Sequence, residues 1–100
     1  MIKKEFETLV SQDNKISLCK KKGYFKYIGE IKVFIYHELE WFIIDIKTGR
    51  AIATGETMFK ALYNATRKYN DFIDFMKTET YKTYKIEFNS IRKEKKHESK

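Results

Sequence analysis

Apolar positions along the chain change period twice. Over residues 2–10, Ile2, Phe6, Leu9 and Val10 recur at helical spacing and predict a short N-terminal helix. Ser11-Gln12-Asp13-Asn14 reads as a loop, Ile16–Cys19 as a strand, and Lys20-Lys21-Lys22-Gly23 as a polar stop with a turn residue. From Tyr24 to Ala53 the period is two: Ile31, Val33 and Ile35 alternate with Lys32, Phe34 and Tyr36. His37-Glu38-Leu39-Glu40 fits a hairpin connection, and Trp41–Ile46 alternates again, with Phe42, Ile44 and Ile46 set against Trp41, Ile43 and Asp45. Lys47-Thr48-Gly49 is a tight turn and Arg50–Thr54 a third strand. After Gly55-Glu56-Thr57 the period lengthens. Thr57 suits an N-cap, and Met58, Leu62, Ala65, Tyr69, Phe72 and Met76 form the stripe of a helix from about Met58 to Lys77. Tyr84, Ile86 and Phe88 alternate as a last strand, and Ile91–Lys100 reads as a frayed basic tail.

These elements imply an α+β fold: a small antiparallel sheet of three to five strands with one long amphipathic helix packed on one face, and a short N-terminal helix. Residues 1–90 form the single domain and residues 91–100 the tail. Leu62, Ala65, Tyr69 and Phe72 are expected to pack on Phe42, Ile44 and Ile46. The chain is 42% hydrophobic and 16% aromatic, too apolar for disorder. No run approaches the roughly 18–20 apolar residues of a membrane helix, and Glu5 and Glu7 stand where a signal peptide would place its apolar stretch. The one cysteine, Cys19, has no internal partner, which fits a reducing, cytoplasmic setting.

The formal charge of +7 turns attention to polyanionic partners, although charge speaks to association and not to fold. Lys20, Lys21, Lys22 and Lys26 interleave with Tyr24, Phe25 and Tyr27, pairing cations for phosphates with aromatic faces for bases. The plainer reading makes the aromatics core and the lysines guards of a strand edge. Lys60, Arg67 and Lys68 lie opposite the apolar stripe of the long helix and extend the candidate nucleic-acid set. A second candidate is a protein interface built from Phe34, Tyr36, Trp41 and Ile43, since one helix covers only one face of a sheet. The alternative is that the N-terminal helix packs there.

Catalytic chemistry finds little support. Cys19 adjoins the lysine run, which could lower its pKa, but nothing else marks it as a nucleophile. His37 and His97 are far apart, and with Cys19 they fall short of a zinc ligand set. Glu38 and Glu40 flank a hairpin tip, where carboxylates are usually solvated. Gly49 and Gly55 lack the Lys-Ser or Lys-Thr ending of a phosphate loop and read as turn glycines. No metal, cofactor or small-molecule site is expected, and the chain reads as a non-enzyme.

The segment from Ile31 to Ile73 resembles the HicB-type antitoxin core. Gly49, then Gly55-Glu56-Thr57, then Ala61 and Asn64-Ala65 stand where that family has its turn, its step into the helix and its helical alanine pattern. The family's Pro-Asp-x-Pro-Gly turn is absent: the chain reads Asp45-Ile46-Lys47-Thr48-Gly49. The resemblance implies a final strand at Tyr84–Phe88. The element order also looks like double-stranded-RNA-binding and AP2-type sheets, and the basic make-up is similar to phage-encoded inhibitors of the anti-CRISPR kind. The expected function is a small regulatory binding protein acting on nucleic acid or on a nucleic-acid-handling protein. The alternative is a protein–protein inhibitor of antitoxin or anti-defence type, with a protein partner or a homodimer.

Overall fold

The computed structural model describes residues 3–13 and 15–98, with side chains described as far as Glu94 apart from that of Gln12. Five strands precede three helices: β1 Lys4–Gln12, β2 Lys15–Ile28, β3 Ile31–His37, β4 Trp41–Asp45, β5 Ala51–Gly55, α1 Met58–Arg67, α2 Tyr69–Phe75 and α3 Glu79–Glu98. The strands form one antiparallel sheet in chain order. The expected α+β class is what the chain adopts.

The N-terminal helix is not there. Phe6, Thr8 and Val10 also fit a period of two, and pairing with β2 decides between the periods, with Phe6 opposite Lys21 and Thr8 opposite Cys19. Ile2, which completed the helical reading, lies outside the described residues, as does Asn14 in the expected loop. Asp13 turns the β1–β2 hairpin with φ 52°, a left-handed conformation that Asp tolerates better than most residues. The lysine run does not stop the second strand either. β2 runs straight through it and changes partner within it: Lys15–Gly23 pair with β1, and Tyr24–Ile28 pair with β3. Gly23 sits at the changeover, where any Cβ would overlap the Ile35 carbonyl.

Register assigns the two faces. Ile35 pairs with Ile43 and with Tyr24, so Ile31, Val33, Ile35, Ile43 and Ala53 share the side that α1 covers. Phe34, Tyr36 and Ile44 form a second buried cluster on the other side, packed by Phe6, Phe25, Phe42 and Ile46. This corrects the expected helix seat. Leu62, Tyr69 and Phe72 pack with Ala65 on the Ile35–Ile43 side, and the Phe42, Ile44, Ile46 face looks away.

Thr57 caps α1, its hydroxyl accepting from the Lys60 N–H at 3.0 Å. The long helix breaks at Lys68, which has φ −91° and ψ 0°. Just before it the Thr66 hydroxyl donates back to the Leu62 carbonyl at 2.8 Å, a bond that bends helices. The apolar stripe still meets one cluster on both sides of the break.

Tyr84–Phe88 is helix and not strand. Tyr81, Tyr84, Phe88 and Ile91 are spaced three and four apart, and Tyr81 and Phe88 are almost wholly buried while Ile86 is 67% exposed. The segment read as a tail continues α3 as helical backbone to Glu98, and Ser99 and Lys100 lie outside the described residues. Along α3, Tyr81 meets Phe72 and Phe75 edge-on, Phe88 lies beside Phe6, and the Arg92 guanidinium sits over the Phe6 and Phe88 rings. It therefore touches the aromatic groups on both sides of the sheet. The Leu9 N–H donates to the Gly49 carbonyl at 2.9 Å, so the sheet curls until β1 approaches the β4–β5 turn. Among the described residues no helix is long and apolar enough to cross a membrane.

Candidate functional site

The kink in β2 creates a cleft. Strand alternation sends Lys20, Lys22, Tyr24 and Lys26 to one side, and Lys21, Phe25 and Tyr27 to the other. At Gly23 the strand leaves β1 and joins β3, which opens a space of about 270 Å³ lined by Lys3, Lys22, Tyr24, Tyr36, His37 and Trp41. His37 and Trp41 face each other across the β3–β4 hairpin and stack, with ring centroids 4.8 Å apart at 28°. Tyr36 lies flat on Phe42 at 4.9 Å and 9°, which fixes the inner wall. Burial pushes the Tyr36 hydroxyl pKa up, with Lys21 and Thr8 among its neighbours. Two ammonium groups, an imidazole and half-buried aromatic rings thus converge on one concave spot.

The predicted basic set is divided by this geometry. Lys22 and Tyr24 line the cleft. Lys20 pairs with Glu5 at 3.6 Å, an exposed ion pair. Lys21 points under the sheet, where it pairs with Glu38 and lies 5.5 Å over the Tyr36 ring. The hydrogen bond to Glu38 raises its pKa despite the desolvation that opposes it. Lys26 and Tyr27 are exposed on opposite faces of β2. Lys60, Arg67 and Lys68 belong to α1 and its end. The Asn64 amide there donates to the Thr54 carbonyl of β5 at 2.9 Å, which places this group on the far edge of the sheet.

The predicted protein interface is divided as well. Phe34 and Tyr36 lie on one face, and Trp41 and Ile43 on the other, because Ile43 pairs with Ile35. Phe34 and Ile43 are fully buried, so the four do not make an exposed patch. The segment that covers Phe34 is N-terminal, as the plainer reading had it, but it is the β1–β2 hairpin carrying Phe6. Lys3 and His37 were not among the predicted contacts. The signal for His37 was its place four residues before Trp41 around a hairpin, where cross-strand partners meet.

The other chemistry is structural. Asp45 is 1% exposed, and its carboxylate accepts from Thr48 Oγ1 at 3.0 Å, the Lys47 N–H at 3.2 Å and Tyr81 Oη at 2.8 Å. Burial first, and then the bond to Asp45, raise the Tyr81 pKa. Cys19 is half-buried opposite Thr8. Among the described residues no three His, Cys, Asp or Glu side chains gather as a metal site would need, and the His97 side chain lies outside them. Comparisons with protein-family models, curated proteins and solved structures gave no match. Part of the antitoxin resemblance is also lost with the final strand, since α3 occupies its place.

Proposed function

We propose that the chain is a small non-catalytic regulatory module that grips a single-stranded nucleic acid at the β2 kink. The observation that carries this reading is the cleft itself, where Lys3 and Lys22 flank the stacked His37–Trp41 pair and Tyr24. Ammonium groups contact phosphates regardless of sequence, and aromatic faces stack bases with little preference among them. A space of this size admits about one base and its phosphate, while a duplex does not fit into it. The chain's single tryptophan lies in the cleft, so its fluorescence reports the site. Titration with oligothymidylate at low salt should quench Trp41, with affinity falling as salt rises by about 0.7 log units per log unit for each phosphate contacted. Lys22→Gln should flatten that slope by about one contact. Absence of both quenching and gel retardation at low salt would remove the reading.

A second reading, the protein–protein inhibitor of antitoxin or anti-defence type, is favoured by the outer face of α1. Phe59 is 80% and Tyr63 54% exposed, one turn apart, with Arg67 over the Tyr63 ring. If Phe59→Ala abolishes a partner complex while the salt slope stays flat in wild type, this second reading replaces the first.

A further inference from the structure

The edges of the sheet are unequal. β1 carries Lys4, Glu5 and Glu7, and the half of β2 beyond Gly23 carries Lys26, the charged residues that discourage strand-to-strand pairing. β5, the opposite edge, reads Ala51-Ile52-Ala53-Thr54-Gly55 and carries no charge. Among the described residues its strand neighbour is β4 alone. The Asn64 amide occupies the Thr54 carbonyl, and among the described residues no further strand pairs along Ala51–Ala53.

Both sides of this stretch are grooved. Towards the helices, Ile52, Phe72 and Phe75 line a hollow of about 400 Å³ with Lys68 and Asp71 at its rim. Towards β1, Leu9, Val10 and Ile16 line a second hollow of about 390 Å³ beside Arg50 and Ala51. The second hollow is where the curled sheet falls short of closing, since β1 reaches the β4–β5 turn only through the Leu9–Gly49 bond. Ile43 pairs with Ala53 and Ile44 with Ala51, so Ile52 is the extra residue of a β-bulge. A strand laid beside it sends successive side chains to opposite faces. They meet a mainly apolar hollow on the helix side and a mixed one, with Ser11 and Arg50 in its wall, on the β1 side. Backbone pairing supplies affinity in such docking, and the hollows for alternate side chains supply selectivity.

We propose that β5 is a docking edge for an extended segment of a partner protein with alternating apolar residues and acidic flanks. Charge argues against a second copy of this chain, which would bring two bodies of formal charge +7 together. It favours acidic flanks, because Arg67 and Lys68 outnumber Asp71 in the neighbouring hollow at the end of α1, while Arg50, paired with Glu87 at 3.3 Å, adds no free charge on the other side. The site is at the Ala51 end of β5, whereas the cleft's Trp41 pairs with Gly55 at the other end, and it does not depend on that reading.

The test uses the full chain and a short synthetic peptide of alternating valine and threonine with a glutamate at each end. Amide hydrogen exchange followed by NMR should slow roughly tenfold at Ala51–Ala53 when the peptide is present. The same peptide methylated on alternate backbone nitrogens keeps its side chains but cannot pair, and it should give no protection. Lys68→Glu should weaken the acidic peptide about two- to fivefold and leave a glutamine-flanked version unchanged. Equal binding of the methylated peptide, protection confined to β1 or β2, or no protection at millimolar peptide would each overturn the proposal. So would concentration-dependent dimerisation that protects β5 without peptide, which would assign the edge to a second copy.

Discussion

Asp45 shows how one residue commits a fold to a particular partner. A carboxylate this deeply buried is costly unless its oxygens accept hydrogen bonds, and three donors satisfy it: the Thr48 hydroxyl, the Lys47 N–H and the Tyr81 hydroxyl. Two come from the β4–β5 turn and the third from α3, so the turn and the last helix are joined by one side chain. Tyr81→Phe should therefore cost about 1–3 kcal/mol, because it strips a donor from a buried acceptor, and a chemical denaturation curve measures it. The same group sets an alkaline limit. Its pKa is raised above the ordinary tyrosine value of about 10 in the folded protein, so the native state holds its proton when the unfolded chain releases it. The contribution is complete below pH 10 and is lost as pH climbs from there towards the folded pKa. Melting temperature should fall over that range in wild type and less steeply in Tyr81→Phe. Gly49 is the other exacting position. It has φ 69° and its α-carbon lies against the Phe88 ring, so Gly49→Ala meets both backbone strain and a clash and should cost more than about 1 kcal/mol.

Among the elements, α3 has the largest structural reach for the weakest sequence signal. Phe88 fills the space between Phe6 and Gly49, and Phe88→Ala should cost about 3–5 kcal/mol in thermal or denaturant unfolding. A change near 0.5 kcal/mol would show that α3 is only loosely attached. The difficulty in reading α3 was periodic. Tyr84, Ile86 and Phe88 satisfy alternation, while Tyr81, Tyr84, Phe88 and Ile91 satisfy helical spacing, and a short window supports both. β1 failed for the mirror-image reason, with Phe6, Leu9 and Val10 counted in threes and fours when the chain uses twos. The central sheet was legible because Ile31, Val33 and Ile35 admit only one period and Gly49 marks the turn. The Thr57 cap was legible for a local reason, since its hydroxyl needs only the next turn. The break at Lys68 was not, because a back-bonded Thr66 looks like any exposed threonine until the helix is built.

At the scale of the whole molecule, the site was half legible. The lysine run and its aromatics were visible, but which of them share a side depends on where β2 changes partner, and no local pattern records that. Lys22 and Tyr24 stay together while Lys21 turns under the sheet to Glu38. A paired substitution uses this division. Lys22→Gln should weaken oligonucleotide binding about two- to tenfold at low salt, whereas Lys60→Gln, on the far edge, should change it by less than about twofold. Equal losses at both positions would mean that the +7 charge acts as a diffuse field and not through the cleft.

The strand order also sets a timetable. Each strand pairs with the one made just before it, so the sheet needs no distant contact and can form as the chain is synthesised. Phe6 and Phe34 are in place early, but Phe88 and Arg92, which complete their cover, come from the last helix. At roughly 5–20 residues per second, an aromatic surface stands open for a few seconds on every nascent chain. A chain stalled after α2 should bind a hydrophobic dye and engage holdase chaperones, and release of the complete chain should end both.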